Sequence, residues 1–226
     1  MAEQGLLFVI EGLDGCGKST QLPLVSDALK ARGLQNRAIS YPDYESESSA
    51  LVRLYLSGAF GDAATDVNPY AASGFYAVDR YASYKQFWQH DFENGVSILA
   101  GRYVSSNAIY QMTKLPREEW DAFLTWLADH EYNKLGLPRP DAVVFLDMPL
   151  ALSQKLLLQR YEGHDDRKDI HERDLDFLAK CREAALYAAQ REGWHILPCA
   201  DENGLLPKEV MTWRITELLH SLWDHR

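Results

Sequence analysis

Hydrophobic positions along the chain follow two patterns that alternate from one end to the other. Short apolar runs rich in β-branched residues predict five strands, each separated from the next by at least one segment of helical length. These runs are Leu6 to Ile10, Arg37 to Tyr41, Val96 to Ala100, Ala142 to Leu146 and His195 to Leu197. Because several runs are continuously apolar, we expect strands covered on both faces, in an α/β fold with a five-stranded parallel sheet flanked by helices.

Longer segments carry apolar residues every three or four positions, which predicts helices with one core face. They are Ser19 to Arg32, Pro69 to Asp91, Arg117 to His130, Leu150 to Tyr161, Arg173 to Glu192 and Pro207 to Trp223. The segment from Tyr161 to His171 is polar, so we predict a loop or lid at about 159–173, with His164 and His171 exposed. Since no linker divides the chain, residues 1–226 are predicted to form a single domain.

Charge limits the partners of the chain. It has 23 Lys and Arg against 33 Asp and Glu, a net charge of −10, which does not suit generic binding to nucleic acid or to anionic membranes. No uncharged stretch approaches the roughly 18 residues that a membrane helix requires. The segment from Met1 to Ile10 has an acidic residue where a secretory signal requires positive charge, so we expect a cytoplasmic protein.

The three cysteines, Cys16, Cys181 and Cys199, have no Cys-x-x-Cys spacing. This argues against a disulfide framework and against a zinc site. We expect two buried cysteines and one loop thiol.

A glycine-rich segment follows the first strand and precedes a helical pattern. Residues Gly12 to Ser19 match G-x-x-x-x-G-K-[ST], in which backbone N–H groups face phosphate oxygens, the lysine reaches the β and γ phosphates, and the hydroxyl ligates Mg²⁺. We therefore predict that the chain binds a nucleoside triphosphate with Mg²⁺. The predicted contacts are Gly12, Asp14, Gly15, Cys16, Gly17, Lys18, Ser19 and Thr20.

A phosphate loop alone leaves ATPases, GTPases, small-molecule kinases and motor proteins open. A GTPase requires a guanine-reading N-K-x-D motif. In this chain Asn133 and Lys134 are followed by Leu135 and Gly136, so the acceptor of the phosphoryl group must be inferred from other segments.

Two further segments have side chains suited to a nucleotide acceptor. Tyr76 and Arg80 are four residues apart and share a helix face, with a ring that can stack on a base beside a guanidinium that can hydrogen-bond it. The alternative is a core ring with a surface neighbour. Arg102 follows the third strand at the edge where such sheets bind ligands, and the Asn107 amide could pair with a pyrimidine edge.

Taken together, these segments resemble the thymidylate kinase family, phosphate-loop enzymes of the nucleoside monophosphate kinase type. The matching segments are E-G-x-D-G-x-G-K-S-T at Glu11 to Thr20, Tyr-Pro-Asp-Tyr at Tyr41 to Tyr44, the aromatic-x-x-Asp-Arg helix at Tyr76 to Arg80, R-Y-x-x-S-N at Arg102 to Asn107, and Pro140-Asp141 before the fourth strand. The resemblance implies transfer of a phosphoryl group from ATP to dTMP with Mg²⁺, a lid over the site, and a homodimer.

The resemblance also implies residue roles. Tyr76 would stack on thymine, Arg80 and Asn107 would hydrogen-bond the base edge, and Tyr110 would lie against the sugar. Arg53 and Arg102 would hold the acceptor's 5′-phosphate. The whole implied acceptor set is Asp14, Tyr44, Arg53, Tyr76, Arg80, Arg102, Ser106, Asn107 and Tyr110; the catalytic set is Lys18, Arg102, Arg160 and Arg167; the metal set is Ser19 and Asp14.

The chain departs from the family pattern at two glycines. Gly15 stands where some members have a phosphate-loop arginine, so the transition-state arginine is expected from the lid, where Arg160, Arg167 and Arg173 lie beside an acidic pair, Asp169 and Glu172. Gly101 stands where the family usually has aspartate; Asp14 or Glu11 could take its place. Two alternatives stay open: a kinase for another deoxynucleotide or deoxynucleoside, and a nucleotide-binding protein with impaired catalysis.

Overall fold

A five-stranded parallel sheet lies at the centre of the protein. The structure, a computed structural model, describes residues 4–160, 171 and 174–225, with Arg160 described by its backbone alone. The strands are β1 Leu7–Glu11, β2 Asn36–Ser40, β3 Ser97–Gly101, β4 Ala142–Asp147 and β5 His195–Pro198, in the spatial order β2-β3-β1-β4-β5. The five predicted strands are confirmed, each to within one residue at either end.

Helices cover both faces of the sheet. They are α1 Lys18–Ala31, α2 Ala50–Leu56, α3 Pro69–Ser83, α4 Gln89–Glu93, α5 Ser105–Tyr110, α6 Trp120–Ala128, α7 Leu150–Arg160, α8 Leu175–Glu192 and α9 Lys208–Asp224. The helices α2 and α5 were not predicted, because they have 7 and 6 residues and are too short to show a helical period. A small antiparallel hairpin, β6 Ala200–Asp201 with β7 Gly204–Leu205, was also not predicted.

Two helices continue into π-helical turns. A turn at Tyr84–Trp88 joins α3 to α4, so the predicted helix from Pro69 to Asp91 is one continuous rod with a local widening. A second π-helical turn, Asp129–Lys134, extends α6. Such turns often accompany functional sites. The second turn carries the buried acidic residue Glu131.

The central strand β1 shows why its sequence is continuously apolar. Leu7 and Val9 belong to one core layer, whereas Phe8 and Ile10 belong to the layer on the opposite face, and all four are at most 1% exposed. Because successive side chains of a strand point to opposite faces, a strand buried on both sides needs an apolar residue at every position. Each fully buried side chain of this size contributes about 1.5–3 kcal/mol.

The carboxyl ends of β1 and β3 lie side by side. Ile10 is paired with Gly101 in the parallel register, and the amide of Arg102 donates to the carbonyl oxygen of Ile10 at 3.0 Å. The loop after β1 and the loop after β3 therefore start from adjacent points. This is the edge where ligands bind in open parallel sheets.

Candidate active site

The loop between β1 and α1 has the backbone conformation that its glycines allow. Gly15 and Gly17 have φ values of 80° and 92°, in the left-handed region that favours glycine. A Cβ at Gly15 would lie 2.6 Å from the carbonyl oxygen of Ser153 and 3.0 Å from Cγ of Leu157, both on α7. The loop is thus packed against α7 without room for a side chain at this position, and an arginine does not fit there.

Lys18 closes this loop with its own side chain. Its Nζ donates to the carbonyl oxygens of Gly12 at 2.6 Å and of Leu13 at 2.9 Å, and lies 3.6 Å from Sγ of Cys16. Both oxygen partners are neutral, and within the described residues no carboxylate is hydrogen-bonded to this ammonium. Cys16 lies in the loop as predicted, but its side chain is as fully buried as those of Cys181 and Cys199.

A cavity of about 1020 Å³ lies beyond the carboxyl ends of the strands, at the upper end of the range for ligand sites. Thirteen predicted site residues line it: Asp14, Gly15, Gly17, Lys18, Ser19, Thr20, Tyr44, Tyr76, Arg80, Arg102, Ser106, Asn107 and Tyr110. Three further predicted residues, Gly12, Cys16 and Arg53, do not line it. The structure therefore brings the phosphate loop and the proposed acceptor residues to one cavity, although their sequence segments are far apart.

Asp14, Arg102 and Tyr110 form a network inside this cavity. Nη2 of Arg102 is paired with Oδ1 of Asp14, while the Tyr110 hydroxyl donates to Oδ2 of Asp14 at 2.9 Å. Burial alone would raise the pKa of Asp14, but the charges of Arg102 and Lys18 and the Tyr110 hydrogen bond bring it down to about 2. Asp14 is therefore ionised at neutral pH, with both oxygens engaged.

Arg102 is held in a backbone conformation that is unusual for its type. Its φ is 66°, in the left-handed region, and it is the one non-glycine residue with positive φ in the described part of the chain. Such strain is typically kept where a side chain must point in a particular direction. Here it turns the guanidinium towards the phosphate loop.

A buried carboxylate holds the loop after β3 to the phosphate loop. Glu11 is 0% exposed and accepts from the amide of Gly12 at 3.1 Å, the amide of Tyr103 at 3.3 Å, and the hydroxyls of Ser105 at 3.0 Å and Ser106 at 2.6 Å. Ser106 lines the cavity as predicted, but its hydroxyl proton is directed to Glu11. Glu11 thus organises the two loops rather than facing the cavity.

Arg80, Asn107 and Glu131 form a second buried network, which we call the base-edge cluster. Arg80 donates from Nε to Oε2 of Glu131 at 2.7 Å and from Nη2 to Oε1 at 2.5 Å, and the two side chains are 1% and 0% exposed. Burial alone would lower the pKa of Arg80, whereas the Glu131 carboxylate raises it, so Arg80 stays protonated. The alternative interpretation of Arg80 as a surface residue is wrong.

Asn107 is the third member of the base-edge cluster. Its Nδ2 donates to Oε1 of Glu131 at 3.0 Å and to the carbonyl oxygen of Ser73 at 3.3 Å. Sequence reasoning missed Glu131, which comes 51 positions after Arg80 and belongs to no motif. Its one signal in the sequence was an acidic residue directly after the predicted helix that ends at His130.

Arg53, which the resemblance assigns to the 5′-phosphate, contacts the turn after β2 and does not line the cavity. Its Nη1 donates to the carbonyl oxygens of Tyr44 and Ser46, both at 2.9 Å, and to the hydroxyl of Ser49 at 2.6 Å. It thereby holds the turn after β2, and Tyr44 of that turn lines the cavity. The same turn is fixed by Asp79, which accepts from the Asp43 amide at 3.0 Å.

The structure places His171 inside the site. The expectation that this residue is exposed is wrong, because it is 4% exposed, its Nε2 lies 2.8 Å from the Tyr55 hydroxyl, and its ring stacks on Tyr110 with centroids 5.3 Å apart. Burial, reinforced by the nearby Lys114 charge, lowers the pKa of His171 to about 3. The ring is therefore neutral at physiological pH.

Gln111 also lines the cavity, and sequence reasoning gave it no role. It is 1% exposed, and neither its Oε1 nor its Nε2 has a hydrogen-bond partner within the described residues. An unpaired buried amide is costly, which points to a ligand as its partner. Gln111 comes one helical turn after Asn107, at the C-cap of α5, and this spacing could have indicated that it lines the same cavity.

Several predicted lid residues lie outside the described residues. These are the Arg160 side chain, His164, Arg167, Asp169, Glu172 and Arg173. Their roles stay predictions.

Gly101 lines the cavity beside the phosphate loop. A Cβ there would lie 3.3 Å from Cδ2 of Leu22 and 3.3 Å from Oγ of Ser40, a tight but not prohibitive fit. The two acids considered as substitutes, Asp14 and Glu11, are both engaged by protein donors. An aspartate at this position would add a carboxylate beside the phosphate loop, whereas the other lining acids Asp43 and Glu45 lie on the turn after β2.

No protein-only metal cage is present among the residues that the structure describes, since no three His, Cys, Asp or Glu side chains group together there. Mg²⁺ usually keeps several waters and takes oxygen ligands from substrate phosphates. The Ser19 hydroxyl, which lines the cavity, fits such a site. Of the two predicted metal ligands, Ser19 fits better than Asp14, whose oxygens are occupied.

No helix within the described ranges has the length and apolar character that crossing a bilayer demands.

Comparisons with known proteins agree with this geometry. A family model described as thymidylate kinase matches residues 10–210. The chain is 32% identical over 196 residues to a thymidylate kinase of Mycobacterium tuberculosis, covering 84% of this chain and 87% of that protein. It is 30% identical over 190 residues to a thymidylate kinase of Bifidobacterium longum, covering 83% and 85%.

A solved structure supports the fold. The thymidylate kinase of Candida albicans superposes with a TM-score of 0.72 at 22% identity, covering 99% of this chain and 94% of that one. The predicted α/β fold of the nucleoside monophosphate kinase type is confirmed.

Proposed function

Because the chain belongs to the thymidylate kinase family, we propose that it transfers the γ-phosphoryl group of ATP to dTMP, giving dTDP and ADP. The observation that carries this proposal is the single cavity that joins the phosphate loop to the base-edge cluster. A triphosphate held by the loop and a pyrimidine held by the cluster would point their phosphates at each other. Neither alternative, another acceptor or a non-catalytic protein, is favoured by the relatives.

Charge neutralisation is the main catalytic task in this reaction. Phosphoryl transfer needs in-line positioning of two anionic substrates and little covalent chemistry from the protein. Lys18, whose oxygen partners are neutral carbonyls, would bind the β and γ phosphates. Mg²⁺, held by Ser19 and the nucleotide, would neutralise the charge that develops on the transferred group.

Arg102 and Asp14 have separate roles in binding the acceptor's 5′-phosphate. The Arg102 guanidinium would hold the acceptor's 5′-phosphate; its lining of the cavity and its positive φ support this role. Arg102 has further N–H donors beyond the one paired with Asp14, so it can bind phosphate while Asp14 keeps its orientation. Tyr110, hydrogen-bonded to Asp14, presents its ring to the sugar.

Arg53 supports the acceptor site through the turn that it holds. In this proposal Arg53 fixes Tyr44 at the cavity wall, while the 5′-phosphate is bound by Arg102. The transition-state arginine comes from the lid, with Arg160 and Arg167 as the candidates, because Gly15 cannot be replaced by arginine without moving α7.

The proposed function is tested with a panel of acceptors. Purified protein is supplied with MgATP and, in turn, dTMP, dUMP, dCMP, AMP or thymidine, and products are identified by chromatography. We expect dTMP to have the highest kcat/KM and dTDP to be its product, with EDTA abolishing turnover. A better acceptor than dTMP would overturn the substrate assignment, and tight binding of both nucleotides without dTDP would overturn the activity.

We also propose that two copies pair through α2 and α3. These neighbouring helices expose apolar side chains, including Leu54, Val78 and Tyr81, which are 45%, 54% and 40% exposed; apolar exposure of this kind is typical of interfaces. Val78→Glu should give a monomer in light scattering, whereas Leu205→Glu, on the distant hairpin, should leave a dimer. A monomeric parent protein would overturn this proposal.

A cytoplasmic location is proposed on the basis of the substrates and cysteines. ATP and dTMP are intracellular metabolites, and Cys16, Cys181 and Cys199 are all unpaired, as is usual in a reducing compartment. Fractionation of the source cells would test this, and recovery of the protein outside the cytoplasm would contradict it.

A further inference from the structure

The base-edge cluster leaves a fixed set of hydrogen-bonding atoms for a ligand. The Asn107 amide has two N–H donors on Nδ2 and one acceptor oxygen. Both donors are directed to protein acceptors, Oε1 of Glu131 at 3.0 Å and the Ser73 carbonyl at 3.3 Å. The reverse orientation would place the amide oxygen against two other oxygens, so Oδ1 is the atom that Asn107 offers to the cavity.

The Arg80 guanidinium is fixed by the same carboxylate. Three of its five N–H groups are used: Nε and Nη2 donate to Glu131, and Nη1 donates to the Tyr103 carbonyl at 3.3 Å. The remaining donors are on Nη1 and Nη2. Arg80 therefore offers donors only, and Glu131 fixes the plane in which they lie.

These atoms match one pyrimidine and not the other. Thymine has an acceptor at O4, whereas cytosine has an amino donor at the corresponding place, and the neighbouring ring nitrogen is a donor in thymine and an acceptor in cytosine. Arg80 donors face O4 favourably and the amino group unfavourably. Oδ1 of Asn107 likewise suits the N3–H of thymine and repels the unprotonated N3 of cytosine.

We propose that Glu131 is a positioning residue that sets the hydrogen-bond polarity of the acceptor site and so selects thymine over cytosine. Glu131 touches neither reacting phosphate. It acts through Arg80 and Asn107, whose orientations it fixes together with one carboxylate. This inference rests on the proposed function, since it takes a pyrimidine nucleotide as the acceptor.

Glu131→Gln tests the proposal by replacing one acceptor oxygen with a donor of nearly the same shape. Whichever way the introduced amide turns, an N–H group of Arg80 or Asn107 meets another N–H group. Asn107 can avoid this by turning its own amide, which would present Nδ2 to the cavity. We expect the ratio of kcat/KM for dTMP to that for dCMP to fall at least about tenfold.

Two further variants separate polarity from simple loss of packing. Glu131→Asp keeps an acceptor-only group, so it should retain the dTMP to dCMP ratio even where both kcat/KM values fall. Glu118→Gln, an exposed acid just before α6, should change neither value. Thermal unfolding of each variant confirms that folded protein is compared.

The outcomes distinguish this inference from the proposed function. A parent protein that does not phosphorylate dTMP would overturn the proposed function. A parent that prefers dTMP, with an unchanged ratio in Glu131→Gln, would overturn the role of Glu131 alone. If Glu131→Gln does not fold, Asn107→Ala removes Oδ1, the acceptor oxygen that Glu131 is proposed to orient, and leaves the Arg80–Glu131 pair. An unchanged ratio there would overturn the proposal equally.

Discussion

The phosphate loop and the base-edge cluster hold their cations in opposite ways. Lys18 is held by two carbonyl oxygens of its own loop, which carry no net charge. Arg80 is held by a carboxylate 51 positions away that cancels its charge. Both side chains line the same cavity.

This difference corresponds to what each region would bind. A cation with neutral partners attracts an anion strongly in a partly buried site, which suits a triphosphate. A cation already neutralised by a buried acid contributes directed donors but little net charge, which suits a neutral base. For Lys18 and Arg80, the partners of the basic residue thus distinguish a site for an anion from a site for a neutral base. Arg102 is intermediate, because it is paired with Asp14 but keeps further N–H donors for a phosphate.

Arg80→Leu should have the largest effect, on folding. It leaves the Glu131 carboxylate buried without its ionic partner, for which we expect a loss of about 3–5 kcal/mol in the free energy of unfolding. Urea denaturation measures this. Arg37→Leu, which removes an exposed pair with Asp91, is the control and should cost less than about 1 kcal/mol; equal losses in the two variants would contradict the distinction.

Lys18→Met should have the next largest effect, on activity. Loss of a cation aimed at the transferring phosphate should lower kcat about 10²–10³-fold. Because its protein partners are neutral carbonyls, thermal stability should change little. Lys30→Met, on the exposed part of α1, should retain activity. If Lys18→Met loses thermal stability but keeps its kcat, the expected contrast between Lys18 and Arg80 is contradicted.

Gly101→Asp should have a moderate effect on the phosphate side of the site. Asp14 and Glu11 are engaged by protein donors, so we expect the added carboxylate to raise kcat about tenfold, roughly 1.4 kcal/mol in the barrier, and to lower the Mg²⁺ concentration needed. Gly101→Ala isolates the effect of the added Cβ. A rise well below tenfold would mean that the missing acid does not limit the reaction.

Lys114 is a further partly buried cation that, like Lys18, has neutral partners. It donates to the Tyr55 hydroxyl and the Val67 carbonyl, and burial lowers its pKa from 10.5 to about 7. Between these values the unfolded chain holds the proton and the folded protein does not. Stability therefore rises with pH in this window, and the penalty is fully present below pH 7.

Lys114→Met should remove that pH dependence, an effect confined to alkaline pH. From pH 7 to pH 9 the parent should gain up to about 1 kcal/mol per pH unit relative to the variant. Denaturation at several pH values measures the difference. The stability of Lys180→Met, at an exposed position of α8, should change with pH as that of the parent does. The same pH dependence in Lys114→Met would contradict the expectation.

The parts that the sequence predicted depend on contiguous residues. The phosphate loop is one uninterrupted motif, and β1 and β4 are continuous apolar runs, so local chemistry was enough. Glu131 was not predicted because its role depends on its contacts with Arg80 and Asn107. These contacts form only when the chain folds and the π-helical turn carries Glu131 to them. His171 looked like a polar loop residue because its aromatic neighbours Tyr55 and Tyr110 are distant in sequence.

The contacts of Arg53 also could not be predicted from its residue type. Its residue type suits phosphate binding, but three local acceptors, the carbonyls of Tyr44 and Ser46 and the hydroxyl of Ser49, take up its Nη1. The short helix α2 that carries it has no detectable period, so its orientation could not be inferred.

The contact between Gly15 and α7 restricts how this enzyme can evolve. Any side chain at Gly15 meets the Ser153 carbonyl, a backbone atom that no neighbouring substitution can remove. A lineage that acquired an arginine in the loop would first have to shift α7.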